Sequence, residues 1–234
     1  MAETSPKLSG TGRLIMTAVP PPPDLEEVRR SLKAMESKFS GQLERRDRVL
    51  KDSRDVISAS SRTIIYVHTG KFKEAERELA LAKSLLGSLK KSSDGSATRY
   101  LVSPEAEFVE ASAVTALAKG KAIPSMESLG TSPEAYLLGL LDTVGELKRL
   151  VLDSMMQRKL AKAKRYFEVM EGLYSLCSPL AVYDHVANGA RRKIDVARML
   201  VEDTRGVLAE EMSRESVSNS MARLERKLAG RPRA

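Results

Sequence analysis

Apolar residues recur along this chain at three- and four-residue intervals, and no stretch alternates with the period of two that a half-buried strand requires. Leu25, Val28, Leu32, Met35 and Phe39 fall on one side of a helix, and a looser continuation runs through Leu43, Leu50, Ile57 and Ile64. Asp24 with Glu27 three residues on forms a capping box, and Gly70 suits the far end, which predicts one helix reaching about Thr69. Such a helix would be about 70 Å long. A small domain cannot cover that length alone, so the helix is expected to bend or to pack against another subunit.

A second helix follows with Phe72, Ala75, Leu79, Leu86 and Leu89 on its apolar side, broken by the serine-rich cluster Ser92 to Ser96. Ser103-Pro104-Glu105 reads as N-cap, first-turn proline and a carboxylate that favours the helix dipole, opening a third helix that stops near Gly120. Ser132-Pro133-Glu134 repeats the signature and opens a fourth. Basic amphipathic segments then run from Gln157 to Ser178 and from Gly189 to Met212. The expected architecture is all-α, an elongated bundle of about six to seven helices with a long N-terminal helix. Residues 1–23, rich in Ser, Gly, Thr and Pro and ending in Pro20 to Pro23, are expected to form a disordered arm. Residues 24–212 are expected to form a single domain, and the basic tail 213–234 to be frayed or disordered.

Composition agrees with a helical protein. The 234 residues are 42% apolar, enough for a real core, and 30% charged, with 4% aromatics and no Trp. A net charge of +8 and a pI near 9.6 favour a polyanionic partner, nucleic acid first. The lone Cys177, in the apolar stretch LYSLCSPL, reads as a buried, inert thiol in a reducing compartment. No window approaches the roughly 18 apolar residues that span a bilayer, and the N-terminus lacks the order of a signal peptide. The expected location is the cytoplasm, with no membrane partner.

The candidate chemistry lies in two acidic pairs set within apolar segments. Glu107 and Glu110 in EFVEAS are three residues apart, and Asp142 and Glu146 in LLDTVGEL are four apart, so each pair projects from one helix face. If the two faces meet, four carboxylates repel one another unless protons or a hard cation enter, and oxygen-only ligation suits Mg²⁺ or Mn²⁺ better than zinc. The plainer alternative is that these acids face solvent or pair with Lys and Arg. The two histidines, His68 and His185, lack a second ligand at any recognised zinc spacing, and His68 at the end of an apolar turn reads as structural. No glycine-rich phosphate loop, GxSxG elbow or CxxC pair is present, which leaves the carboxylates as the candidate catalytic set. Arg54 and Arg62 lie eight apart on the first helix and Arg99 precedes the third; they either belong to a solvated surface or line a cavity with the acids. The same ambiguity covers the Lys and Arg residues at 158, 159, 162, 164, 165 and 191–193.

These residues resemble the translin superfamily, and more closely its translin-associated factor X branch than translin itself. The resemblance covers most of the chain. KDSRDVISASSRTIIYVH is similar to that family's first-helix segment, with Arg54, Asp55, Ser61, Arg62 and Thr63 in step; Arg99 followed by EFVEA resembles the next block, and EAYLLGLLDTVGELKRL the third. The resemblance implies a metal-dependent endoribonuclease whose catalytic, metal-binding carboxylates fall on Glu107, Glu110 and Asp142, with Glu146 completing the acidic cluster. It also implies Mg²⁺ (or Mn²⁺) as cofactor and an all-α subunit assembled into a closed homo-octamer that holds single-stranded or short RNA. Arg54, Arg62, Arg99 and Arg149 are the expected RNA contacts. Attack by a metal-activated water would leave a 5′-phosphate. The last third matches only loosely and a long insertion is lacking, which suggests an archaeal-type member that works without a separate translin partner. The alternatives are a non-catalytic single-stranded RNA- or DNA-binding oligomer and a helical scaffold with ion-paired acids.

Overall fold

The structure, a computed structural model, describes residues 25–93 and 98–229. The arm expected at 1–23, the cap at Asp24, residues 94–97 of the serine-rich break and residues 230–234 lie outside the described residues. Among the described residues seven α-helices follow in order: α1 (Glu26–His68), α2 (Phe72–Ser92), α3 (Val102–Ala118), α4 (Met126–Leu129), α5 (Pro133–Met156), α6 (Leu160–Cys177) and α7 (Ala190–Ala229). Short 3₁₀ turns occupy Thr98–Tyr100 and Ser178–Tyr183, and no strand occurs among the described residues. The described residues divide into two units, and the boundary falls inside α1, between Gln42 and Leu43.

Local chemistry explains most of the boundaries. Gly70 takes φ +73° after α1, a left-handed turn that side chains resist, and Lys71 N–H reaches back to the Tyr66 carbonyl at 2.8 Å. Ser132 caps α5 as expected: its hydroxyl accepts from Ala135 N–H at 3.3 Å, and Pro133 occupies the first turn. The start of α3 differs from expectation. The helix begins at Val102, with Leu101 at the cap position and no side-chain cap, so Ser103 lies inside the first turn. The preceding 3₁₀ turn already winds the chain into helix, leaving Ser103 no orphan amide to cap.

Glu105 does more than expected. Only 4% exposed, it accepts from both the Ser132 amide (2.8 Å) and hydroxyl (2.6 Å), and the Lys90 ammonium lies 2.6 Å away. It lies in the first turn of α3, as expected, and in addition fastens the head of α5 to α2 and α3.

The tail is a further correction, since α7 continues as helix through 213–229. Nothing in that stretch breaks a helix before Gly230 and Pro232, and Val217, Met221 and Leu224 keep a three-four spacing.

Within the second unit, α5 packs against α3, α6 and α7. The larger core cluster joins Val114 of α3, Val144, Leu147 and Val151 of α5, Met170 of α6 and Val201 of α7. A second cluster joins Val56 and Ala59 of α1, Ala82, Leu86 and Leu89 of α2 and Phe108 of α3. Helix α3 contributes to both, so it is buried nearly all round and its polar side chains have few routes to water. Cys177 is buried, as the sequence predicted, and burial pushes its thiol up to about 11.

Candidate functional site

The site is made where α3 and α5 cross, and a glycine permits the crossing. A Cβ placed on Gly139 would lie 2.4 Å from the Ala106 carbonyl oxygen and 2.7 Å from Val109 Cβ, distances that real side chains do not reach. Any other residue there would push the helices apart. Glu107 and Glu110 each follow one of those two contact residues, while Asp142 and Glu146 lie about one and two turns beyond Gly139. The crossing thus brings the two acidic pairs into one neighbourhood.

Electrostatics record that proximity. Glu110 is pushed up to about 8, first by burial and then by the charges of Asp142, Glu107 and Glu146. Glu107 is raised by burial and by Asp142. Glu146 moves the other way, lowered chiefly by its hydrogen bond with His68 and further by the charges of His68 and Arg149. The four acids are therefore not equivalent. Two are held towards the protonated form by crowding, and one is stabilised as a carboxylate by a bonded neighbour.

Two side chains that the sequence reading left outside the candidate site, His68 as structural and Lys193 among the scattered basic residues, complete the arrangement. His68, from the last turn of α1, is 2% exposed, with Nε2 2.5 Å from Glu146 and Nδ1 3.3 Å from Asp153 one helical stretch further along α5. It is a structural histidine whose structure is that of the site: it fixes one acid of the cluster and is itself fixed by another carboxylate outside it. Lys193 of α7 donates to both carboxylate oxygens of Asp142, and its charge opposes the upward shifts of Glu107 and Glu110. A sequence signal for Lys193 exists in hindsight, because it lies three residues after Ala190 and four before Ala197, both fully buried, on the inner side of α7.

The donors are four carboxylates with oxygen atoms only, two of them, Glu107 and Glu110, held towards the protonated form by burial and neighbouring charge, and a hard divalent cation would relieve that repulsion. In this chemistry the residues fit Mg²⁺ or Mn²⁺. Their present arrangement is not a closed ligand shell: among the described residues no three His, Cys, Asp or Glu side chains are set to hold a metal ion. Asp142 is engaged by Lys193 and Glu146 by His68, so metal entry requires at least the lysine to let go.

The arginines expected to touch RNA divide. Arg149 is exposed and its charge reaches Glu146. Arg54 is exposed on α1. Arg62 is committed to Glu78 (Nε–Oε2 2.9 Å) and to the Ser58 hydroxyl (2.7 Å). Arg99 is exposed and lies over the Tyr100 ring, with its guanidinium 4.8 Å from the centroid. Arg46 approaches the same ring at 5.8 Å.

Residues 97–204 match the Translin family. An uncharacterized protein of Methanocaldococcus jannaschii is 35% identical over 166 residues, covering 69% of this chain and 73% of that protein. Among solved structures, AfC3PO superposes with a TM-score of 0.65 at 30% identity, covering 81% of this chain and 97% of its own. AfC3PO in a complex with duplex RNA gives the same TM-score at 29% identity, covering 81% and 96%. Apo-NeC3PO, at 22% identity, TM-score 0.65 and coverage of 77% and 96%, shares the fold. No helix among the described residues is long and apolar enough to cross a membrane. The all-helical fold, the AfC3PO likeness along most of the chain and the family match across α3 and α5 agree: this chain belongs to the translin family.

Proposed function

We propose that this protein is a metal-dependent endoribonuclease acting on single-stranded or short RNA. The observation that carries the reading is the crossing at Gly139, which gathers Glu107, Glu110, Asp142 and Glu146 and leaves Glu110 pushed up to about 8. A cluster so costly to keep ionised is unexpected in a mere scaffold. When bound, Mg²⁺ or Mn²⁺ would supply charge neutralisation at the phosphate and a water acidic enough to attack it. Glu107, Glu110 and Asp142 would hold the ion, with Glu146 as the fourth acid, kept ionised and oriented by His68. Arg149, beside Glu146, would meet the RNA backbone at the edge of the site, and Arg54 and Arg99 would meet it further out. Arg62 would do so only by exchanging Glu78 for phosphate.

Short duplex RNA belongs among the substrates to be tried, since the similar AfC3PO is known in a complex with duplex RNA. Self-association into a homo-octamer is part of the reading. Its support in this chain is the apolar stripe formed by Leu25, just before α1, with Val28, Leu32, Met35 and Phe39 on it, every member of which is at least 45% exposed. A binding-only oligomer is the second reading, favoured by Asp142 being already paired with Lys193.

The test incubates the full chain with labelled short RNA in Mg²⁺ or EDTA, alongside Glu110→Gln and Asp142→Asn. The reading predicts Mg²⁺-dependent cleavage to 5′-phosphate ends, slowed on the order of 100- to 1,000-fold in either variant. Cleavage persisting in EDTA, or cyclic phosphate products, would overturn it. RNA binding without any cleavage selects the second reading.

A further inference from the structure

Lys193 stands where the acid cluster calls for a cation. Its ammonium donates to both oxygens of Asp142, and its field reaches Glu107 and Glu110 on the opposite helix. Elsewhere on α7, Arg205 also engages two acids, Glu171 of α6 and Glu202 of its own helix, but in a largely solvated setting. Lys193 instead engages acids presented by two helices from a third. Its backbone is anchored by buried Ala190, Ile194 and Ala197, while its side chain stays 38% exposed, so the stem is held at its root and free at its tip.

A divalent cation and the ammonium need the same lone pairs. Asp142 offers two oxygens and Lys193 contacts both, so an ion bound there competes for those oxygens and repels the ammonium besides. The displaced tip stays tethered within a side-chain length of the cluster, where a phosphate brought to the acids would be the strongest available acceptor. Lysine suits this exchange because its charge is compact and its four-carbon stem flexible, whereas an arginine fork would lock onto a carboxylate in one fixed geometry.

We propose that Lys193 is an exchangeable cation of the site and a catalytic residue: it neutralises Asp142 in the metal-free protein and moves to a non-bridging oxygen of the scissile phosphate when metal and RNA are bound. The catalytic half rests on the nuclease reading; the exchange half requires only that the acids bind a divalent cation. In this scheme Lys193 keeps its proton throughout, and its contribution is charge placed against the phosphate as the attacking oxygen adds. It also sets a threshold for metal entry, because the ion must compete with a cation already in place.

The experiment compares the full-length protein with Lys193→Met and Lys193→Arg. Mn²⁺ binding without RNA is followed by the electron paramagnetic resonance signal of free Mn²⁺. The expected result is binding about tenfold tighter in Lys193→Met, equivalent to removal of a competitor worth roughly one decade of affinity, and close to wild type in Lys193→Arg. Single-turnover cleavage of short RNA at saturating Mn²⁺ is expected to slow on the order of 100-fold in Lys193→Met, with partial rescue in Lys193→Arg and RNA affinity in EDTA within about threefold of wild type, because without metal Lys193 stays on Asp142 and touches no phosphate. Unchanged or weaker Mn²⁺ binding by Lys193→Met overturns the exchange, and cleavage within threefold of wild type overturns the catalytic role. Wild-type protein that binds Mn²⁺ but leaves RNA intact refutes the nuclease reading and the catalytic half with it, while tighter binding by Lys193→Met would still uphold the exchange.

Discussion

Helix α3 and the first turns of α1 handle charged and apolar side chains in opposite ways. In α3, Glu105 and Glu110 are 4% and 9% exposed, packed among Ala106, Phe108 and Val109. On α1, Leu32 and Phe39 are 57% and 59% exposed, beside solvated Arg29 and Glu36. One region hides charge and the other displays apolar surface, each against the ordinary preference. The two buried acids of α3 are accommodated differently: Glu105 has Lys90 and Ser132 as partners, whereas Glu110 is held towards its protonated form by burial and the neighbouring acids, with Lys193 as the opposing charge. No such counterpart covers the apolar stripe within the described part of its own unit. The first exception therefore points inward to chemistry, and the second outward to other copies of the chain.

The comparison breaks most easily at the stripe. Leu32→Glu combined with Phe39→Glu removes two apolar anchors worth about 1.5–3 kcal/mol each when buried, so self-association should weaken by about 100-fold or more. Light scattering coupled to size exclusion should then show a smaller species that retains its helical circular dichroism. An unchanged assembly size would mean that the stripe lies outside the interface.

The buried acids give the next largest effect, and its sign is fixed. Glu110 is raised in the folded protein, so the stability this confers is complete below about pH 4.5 and is lost as pH climbs through about 8. Metal-free Glu110→Gln should match wild type at low pH and exceed it by about 2–4 kcal/mol at pH 9, measured by denaturant titration at several pH values. A gap that does not grow with pH would show that Glu110 is not crowded.

Gly139 and Gly145 sharpen the packing half of the argument. Gly139→Ala should cost about 1–3 kcal/mol through overpacking and spread the acids, whereas a Cβ on Gly145 meets only Leu200 Cδ1 at 3.9 Å. Gly145→Ala should therefore be neutral or stabilising by up to about 1 kcal/mol, as read from thermal unfolding. The remaining prediction concerns His68. His68→Gln should weaken Mn²⁺ binding by about 10- to 100-fold in calorimetric titration, because Glu146 then loses the Asp153-backed donor that orients it. Unaltered Mn²⁺ affinity would reduce His68 to a packing residue.

The sequence revealed local signals and missed long-range ones. The cap at Ser132, the turn at Gly70 and the spacing within each acidic pair are set by residues one helical turn apart, and all were readable. Lys193 and Asp142 are 51 residues apart, and His68 and Glu146 are 78 apart, so only the folded packing of α7 and α1 on α5 reveals those pairings. The tail beyond Met212 looked frayed because its charge masks a sparse apolar spacing that the structure carries as helix to Ala229. Ser103 shows the converse error, a good cap residue made unnecessary by the 3₁₀ turn before it.

The central claim is that the acids gathered at Gly139 bind a divalent cation. Crystals of the protein grown or soaked in Mn²⁺ and measured at the manganese absorption edge test it most directly. The account predicts an anomalous peak at oxygen-ligand distance, roughly 2.0–2.3 Å, from Glu110 and Asp142, with the Lys193 ammonium moved off Asp142. A map with no peak among Glu107, Glu110, Asp142 and Glu146, and with Lys193 still seated on Asp142, would contradict it.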